Sequence, residues 1–343
     1  MKGSELRQDP ATKEWVVIAP ERSQRPQQDK RSAEERHTLY SSHCPFCPGN
    51  ESLTPPELLR IGHEGWQVRV VPNKFPALHS NAGPVGRNCF FRSAPGSGHH
   101  EVIIESPAHN LELADTPEEH IARILRAYQQ RQRFLLERDD VRCVVIFRNY
   151  GERAGTSLLH PHSQVLATPV VPAFVHWKHE VAEHYWEENN RNLYADICEA
   201  ERWSEMRMVE EDRAFTAFVP FASFVPYEMW IVPKRFTPSF ALASDAELAD
   251  LAGTLRRCLL RLRECCGNVH YNYVIHSCTR GLENEDFYLW HLQIIPRLTE
   301  PAGFEMGSHM YINPMLPEQC AQNLRNAAIT IAEPAGVSYE LSA

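Results

Sequence analysis

Two histidines and a glutamine alternate along one short segment, His160-Pro161-His162-Ser163-Gln164. If this segment is a strand, alternate side chains share a face, so the three polar groups lie together. A strand shaped only by burial would keep one of its faces apolar, and a solvated surface strand is the alternative interpretation. The chemical interpretation is that one imidazole is a nucleophile. Imidazole attacks phosphorus at neutral pH, and its N–P adduct remains labile.

Cys44 and Cys47 form a C-x-x-C pair, and a proline follows each cysteine. Two thiolates at this spacing can chelate one tetrahedral zinc ion, and a redox-active pair is the alternative. No helical pattern follows the pair to lower the pKa of a thiol, so zinc is the favoured interpretation. A structural zinc needs two more ligands. The candidates are His160 and His109, with His43, His79, His99 and His100 as substitutes.

A loop with glycines and hydrogen-bond donors, RNYGERAGTS at 148–157, directly precedes the histidine segment. Glycines allow the backbone to approach a ligand closely and to donate N–H groups to phosphate oxygens. Candidate contacts to a substrate phosphate or nucleotide are Asn149, Gly151, Gly155 and Ser157, together with Arg22 and Arg25 from an earlier basic loop.

The elements around these residues predict an α+β fold in which one module occurs twice. In the first half, the predicted strands are 66–78, 100–106, 142–151 and 158–169, and the predicted long helix is 114–139. The second half repeats this order, with strands at 212–224, 227–235, 272–278 and 289–297 and a helix at 244–265. The shared H-x-Q pattern makes His162 in the first half correspond to His291 in the second half. We therefore expect two modules, residues 1–185 and 186–343, each an antiparallel sheet with a long helix.

The second copy lacks the reactive parts of the first. Leu289 stands where the first copy has His160, and no C-x-x-C pair precedes its first strand. One copy should therefore react, while the other completes the site or stabilises the arrangement.

Bulk composition restricts the class of partner. The 343-residue chain has a net charge of -9, which argues against a general nucleic-acid surface. No apolar run approaches the roughly 20 residues that span a bilayer, and the first residues do not read as a secretory signal. The cysteines form no disulfide framework, so we expect a cytoplasmic protein.

In combination, HPHSQ, CPFCPGNE, VPNKFPAL and RNYGERAGTS resemble the galactose-1-phosphate uridylyltransferase family, a branch of the histidine-triad superfamily. The resemblance covers nearly the whole chain, from WVVIAPERSQRP to AGFEMGSHMYINP. It implies two fused histidine-triad-like modules, the second of them degenerate. It also implies a ping-pong nucleotidyl transfer in which the second histidine of the H-P-H element, His162, carries the nucleotide.

The resemblance also implies a set of site residues. One structural zinc would be held by Cys44, Cys47, His109 and His160. Gln164, Ser157, Asn149 and Asn73 match positions that contact the nucleotide and its phosphates, and we expect Gln164 and Ser157 to assist catalysis.

Departures from the family pattern concern a second metal. In the uridylyltransferases this metal is bound by a glutamate and three histidines. Glu180, His276 and His291 could correspond to three of them, but Gln293 stands in place of the third histidine. The plant ADP-glucose phosphorylases use a C-x-x-C pair there, of which this chain keeps only Cys198. These differences argue against a second metal.

The acceptor and the base are left open by the C-terminal segment TEPAGFEMGSHMYINP. It lacks the lysine of the uridylyltransferases and has Phe304 in place of a tyrosine, so it is closer to the ADP-glucose phosphorylase branch. Phe304 and Glu305 are candidate substrate contacts. On family size, UDP-glucose with galactose 1-phosphate is the first choice. ADP-glucose with inorganic phosphate is the alternative.

Two other classes of function are weighed against transfer: a histidine-triad nucleotide hydrolase and a non-catalytic, nucleotide-sensing zinc module. We expect small-molecule partners, namely a nucleotide sugar with a sugar phosphate or phosphate. We expect neither a nucleic-acid polymer nor a membrane as partner, and we expect a homodimer.

Overall fold

The computed structural model describes residues 4–21, 38–62, 65–80, 93 and 95–329. These residues form an α+β fold, as predicted, with a ten-stranded sheet, a three-stranded sheet and six α-helices. The strands are β1 (Glu5–Gln8), β2 (Trp15–Ile18), β3 (Leu59–Ile61), β4 (Val68–Pro72), β5 (His99–Ile104), β6 (Cys143–Tyr150), β7 (His162–Thr168), β8 (Met208–Glu211), β9 (Phe215–Phe218), β10 (Met229–Pro233), β11 (Tyr271–His276), β12 (His291–Pro296) and β13 (Ile312–Asn313). The helices are α1 (Glu118–Leu136), α2 (Ala173–Asn189), α3 (Leu193–Ser204), α4 (Asp245–Cys266), α5 (Gly303–Ser308) and α6 (Pro317–Asn326).

The large sheet is antiparallel throughout, with the order β3-β4-β5-β7-β6-β11-β12-β10-β9-β8. Its two halves meet where β6 pairs with β11. Outward from that pair, the strand order is β6-β7-β5-β4 on one side and β11-β12-β10-β9 on the other. In each half these strands have the same order along the chain. The strand pairs β6/β11, β7/β12, β5/β10 and β4/β9 therefore correspond, as the sequence repeat predicts.

The two long helices α1 and α4 pack against each other and against one face of the sheet. This face carries the main apolar core, in which Ile103 and Val165 from the sheet meet Ile121 from α1 and Leu251 from α4. The side chains that alternate with Ile103 and Val165 point to the opposite face of the sheet. His162 and Gln164 belong to that opposite face, which is where the candidate site lies.

The boundary predicted between residues 185 and 186 lies inside α2 (Ala173–Asn189), and the division into two modules stays a prediction. Helices that could cross a membrane, being both long and apolar enough, are absent from the described parts of the chain.

Candidate active site

Four side chains from three separate segments meet beside the sheet face that carries His162. They are Cys44 and Cys47, which lie in one turn, His109 and His160, and their ligand atoms all lie within 4.8 Å of one another. The Nδ1 atom of His160 lies 3.7 Å from the Cys44 sulfur, 3.6 Å from the Cys47 sulfur and 3.4 Å from His109 Nδ1. The Cys47 sulfur lies 3.4 Å from His109 Nδ1.

These distances match a tetrahedral zinc site. With Zn–S near 2.3 Å and Zn–N near 2.05 Å, tetrahedral angles place neighbouring ligand atoms about 3.3–3.8 Å apart. His160 is also held in the right tautomer, because its Nε2–H donates to the carbonyl oxygen of Ser106 over 2.7 Å and leaves Nδ1 as the lone-pair atom. Burial lowers the pKa of His160 to about 3 and raises the pKa of Cys47 to about 11. The imidazole of His160 is therefore neutral, and a bound cation is needed to hold Cys47 as a thiolate.

His162 is the first residue of β7, and its ring is positioned by the zinc-site segment. Its Nδ1–H donates to the carbonyl oxygen of His160 over 2.8 Å, which leaves Nε2 with the lone pair. Phe46, between the two cysteines, packs on the ring with centroids 5.5 Å apart. Burial lowers the pKa of His162, so the neutral, nucleophilic ring is the favoured form.

The expectation that His160 lies on the same strand as His162 is wrong. β7 begins at His162, and Pro161, which has no N–H to donate, separates the two histidines. The Pro161 carbonyl instead accepts the N–H of Glu105 over 3.0 Å. His160 is thereby directed to the cysteines, while His162 and Gln164 alternate along the strand.

A cavity of about 120 Å³ lies beside His162. It is bordered by the loop that the sequence singled out, and its lining includes Asn149, Gly151 and Ser157, but not Gly155. Gly151 has φ +86°, and an added Cβ would come within 2.2 Å of the His270 ring. Glycine is required there by packing as well as by backbone conformation. Asn149 is held in place by the side-chain amide of Asn272, which donates to its Oδ1 over 2.8 Å.

Gln164 lies two residues beyond His162 on the same face and bonds to a histidine that sequence reasoning assigned elsewhere. His100 Nε2 lies 2.7 Å from Gln164 Oε1, and Asn73 Nδ2 lies 3.2 Å from the same ring nitrogen. Asn73 and His100 also border a second, more open cavity of about 740 Å³. His100 is therefore not a substitute zinc ligand. No sequence signal links it to Gln164, because their contact is set by the β5–β7 register.

The other candidate residues lie apart from this cluster. His99 bonds to Asp140 over 3.3 Å, His43 contacts Ser42, and His79 borders the open cavity. Phe304 and Glu305 lie on α5 and are not among the residues that line the cavity beside His162. Glu305 instead accepts the N–H of Ala302 at the start of its own helix. Arg22 and Arg25 lie outside the described residues.

In the second copy, the histidine that corresponds to His162 already has a partner. His291 Nδ1–H donates to the Leu289 carbonyl over 3.2 Å, as His162 does to His160, but Lys178 Nζ lies 3.1 Å from His291 Nε2. Both side chains are buried, and His276 stacks on His291 with centroids 4.7 Å apart. Glu180 is exposed and pairs instead with His176. Within the described residues, the cysteine–histidine cluster is the one group arranged for a metal.

Comparison with known proteins identifies the family of this chain. The profile of the galactose-1-phosphate uridyl transferase N-terminal domain matches residues 1–172, and that of a domain of unknown function matches residues 108–341. The chain is 36% identical to the ADP-glucose phosphorylase of Arabidopsis thaliana, covering 95% of this chain and 93% of that one. It is 28% identical to the galactose-1-phosphate uridylyltransferase of Thermotoga maritima, with 95% and 99% covered.

The crystal structure of the Arabidopsis thaliana ADP-glucose phosphorylase with bound ADP-glucose superposes with a TM-score of 0.83. That alignment covers 96% of this chain and 100% of the other at 34% identity. The matched profile spans the cysteine–histidine cluster, His162 and Gln164, and the relatives match over nearly the whole length of the chain. The chain is therefore a nucleotidyltransferase that belongs to the galactose-1-phosphate uridylyltransferase family.

Proposed function

We propose that this enzyme transfers a nucleoside monophosphate from a nucleotide sugar to a phosphate-bearing acceptor through a covalent intermediate on His162. The observation that carries the proposal is the orientation of that ring. Its Nδ1–H is bonded to the His160 carbonyl, and its Nε2 belongs to a ring that lines a cavity. A buried, neutral imidazole with one nitrogen tied back is arranged as a nucleophile.

The transfer takes two displacements. His162 Nε2 attacks the α-phosphorus, an N–P bond forms, and the bond to the departing sugar 1-phosphate oxygen breaks. In the second step an oxygen of the acceptor phosphate attacks the same phosphorus and the N–P bond breaks. The N–H groups of Gln164, with Ser157 and the amides of its loop, would stabilise the charge on the non-bridging oxygens.

Zinc would be held by Cys44, Cys47, His109 and His160, and its part would be structural. Four protein ligands complete the coordination sphere of a tetrahedral ion, so the metal would have no coordination position for substrate. The cluster links three segments that are distant in the sequence and ends at the carbonyl that orients His162. The chain's own residues carry the chemistry.

ADP-glucose is the proposed donor and inorganic phosphate the proposed acceptor. This choice is supported by the higher identity to the plant ADP-glucose phosphorylase, 36% against 28% for a uridylyltransferase. The C-terminal segment, with Phe304 and no lysine, supports the same branch. UDP-glucose with galactose 1-phosphate, preferred on family size, becomes the second candidate, supported by the uridyl transferase profile over residues 1–172.

A panel of ADP- and UDP-sugars with labelled phosphate, glucose 1-phosphate and galactose 1-phosphate tests the proposal. We expect fastest turnover for ADP-glucose with inorganic phosphate. A clear preference for UDP-glucose and galactose 1-phosphate would favour the second candidate. Release of free nucleoside monophosphate without need of an acceptor would overturn transfer in favour of hydrolysis.

A further inference from the structure

The hydrogen bonds of His100 determine where its proton lies. The backbone N–H of Ala77 points to His100 Nδ1 over 3.1 Å, and a backbone N–H can only donate. Nδ1 is therefore an acceptor, and the neutral ring carries its proton on Nε2. That proton is donated to Gln164 Oε1, at 2.7 Å.

This bond settles the orientation of the Gln164 amide. Its oxygen is occupied by His100, so the group that it can offer to a ligand is its NH₂. The oxygen of Asn73 is occupied too, since its Oδ1 accepts the N–H of Phe75 over 2.9 Å. Its Nδ2 lies 3.2 Å from His100 Nε2, which is itself a donor, so the Asn73 N–H groups are not bound by that ring. Two amides that both lie beside His100 thus have their oxygens occupied and N–H groups to offer. Donors without acceptors suit an anion.

The second copy contains a comparable amide whose N–H group is bound to a carboxyl group. Gln293 corresponds to Gln164, and its Oε1 lies 2.7 Å from Nε2 of a histidine, His276. Its Nε2 donates over 2.7 Å to the buried carboxylate of Glu228. In the first copy the histidine that holds the amide oxygen lies on the other neighbouring strand, since His100 is on β5, which corresponds to β10, whereas His276 is on β11, which corresponds to β6. Among the described residues, no carboxylate accepts from Gln164. The second copy therefore shows that an amide whose oxygen is held by a histidine can offer its N–H group to an acidic oxygen.

We propose that His100 is a positioning residue which holds the Gln164 amide with its N–H groups directed at the transferred phosphate. The inference rests on the proposed function and adds a residue to it. Since Gln164 lies two residues along the strand from His162, roughly 7 Å away at the backbone, its side chain can reach a phosphorus held at His162 Nε2. Without His100 the amide is free to rotate by half a turn and present its oxygen to the phosphate.

Two substitutions of His100 separate its bonds. In His100→Asn, the side-chain oxygen can take the place of Nδ1 and accept from Ala77, but the donor to Gln164 is lost. In His100→Gln, the amide nitrogen can take the place of Nε2 and keep that donor, while the bond to Ala77 is lost. The measurement is the single-turnover rate of labelling of the protein by nucleotide sugar, with the thermal midpoint of each variant recorded alongside.

We expect the labelling rate of His100→Gln to lie within about threefold of the wild-type rate. The labelling rate of His100→Asn should fall about tenfold, because one hydrogen-bond donor to the transferred phosphate loses its alignment. In a Gln164→Ala background the two should label equally, because the amide that His100 positions is gone. A merely structural His100 would slow labelling equally in both backgrounds. That result, or wild-type labelling by His100→Asn, would overturn the inference.

Gln164→Glu provides an independent test of the inference if His100→Asn does not fold. It keeps an acceptor for His100 but places an oxygen where the inference needs an N–H group, so labelling should fall at least as far as in Gln164→Ala. Wild-type labelling by Gln164→Glu would contradict the inference. If the wild type takes no label from any nucleotide sugar, the proposed function fails and this inference with it. A labelled wild type with independent effects of His100 and Gln164 overturns the inference alone.

Discussion

The Nδ1–H of His162 donates to the backbone carbonyl of His160 over 2.8 Å, so the proposed nucleophile is oriented by a residue that also belongs to the cysteine–histidine cluster. The two histidines have separate tasks, although only a proline lies between them. The side chain of His160 faces the cysteines, and its carbonyl faces His162. Substitutions can therefore separate loss of chemistry from loss of metal.

His162→Ala should abolish transfer while the protein folds and keeps its zinc, because the nucleophile is removed and no ligand of the cluster is changed. We expect a loss of at least about a thousandfold in kcat, since a deleted nucleophile leaves only binding contributions. His184→Ala, at an exposed position on α2, is the matched control and should behave as the wild type. Turnover above a trace by purified His162→Ala would refute the assignment.

Cys44→Ser should lower both the zinc content and the thermal midpoint, because structural zinc binding is coupled to folding. The control is Cys265→Ser on α4, a partly exposed cysteine outside the cluster, which should retain the metal. Elemental analysis and thermal unfolding of both variants give the result. Full zinc occupancy in Cys44→Ser would contradict the ligand assignment.

A covalent intermediate should be trappable with labelled nucleotide sugar alone. The cavity beside His162 can serve both phosphate partners in turn if the nucleotide stays on His162 between them. The N–P bond survives alkali and breaks in acid, so label should remain on the protein after an alkaline quench. Parallel initial-rate lines should accompany it. Intersecting lines without a labelled protein would mean direct transfer between two bound substrates.

Periodicity and repeated motifs predicted the fold well. The strand and helix segments of both halves follow from apolar patterns, and the H-x-Q repeat predicts that β7 and β12 correspond. The choice among the histidines could not be made from spacing. His109 and His160 lie 62 and 113 residues beyond Cys47, so only folding, or a family resemblance, selects them over His99 or His100.

The hydrogen-bond partners of Gln164 and His291 could not be predicted from the sequence for a different reason. His100 meets Gln164 through the pairing of β5 with β7, and Lys178 meets His291 from α2, 113 residues away. A lone lysine in a helix normally remains in water. The pattern of α2 gives no sign that this lysine is buried against an imidazole.

Lys178→Met should destabilise the protein without reducing zinc content. In the wild type, the Lys178 ammonium lies 3.1 Å from His291 Nε2. Burial lowers the pKa of Lys178 to about 8, and the charges of Asp9 and Glu228 act in the opposite direction. Methionine keeps the volume but leaves the buried imidazole nitrogen without its partner. We expect a loss of about 1–3 kcal/mol in the free energy of unfolding.

The control for Lys178→Met is Lys234→Met, which removes a more exposed lysine paired with Glu211 and should change stability by less than about 0.5 kcal/mol. Denaturant unfolding and metal analysis of the two variants give the comparison, and both should hold one zinc per chain. Because Lys178 contacts His291 and does not line the cavity beside His162, its variant should also retain most of the transfer activity. A stable Lys178→Met protein would mean that the ammonium is not needed at His291. Two zinc ions per wild-type chain would show that a second metal site exists outside the cysteine–histidine cluster. His291 could then be a metal ligand, and its contact with Lys178 would not describe the metal-bound protein.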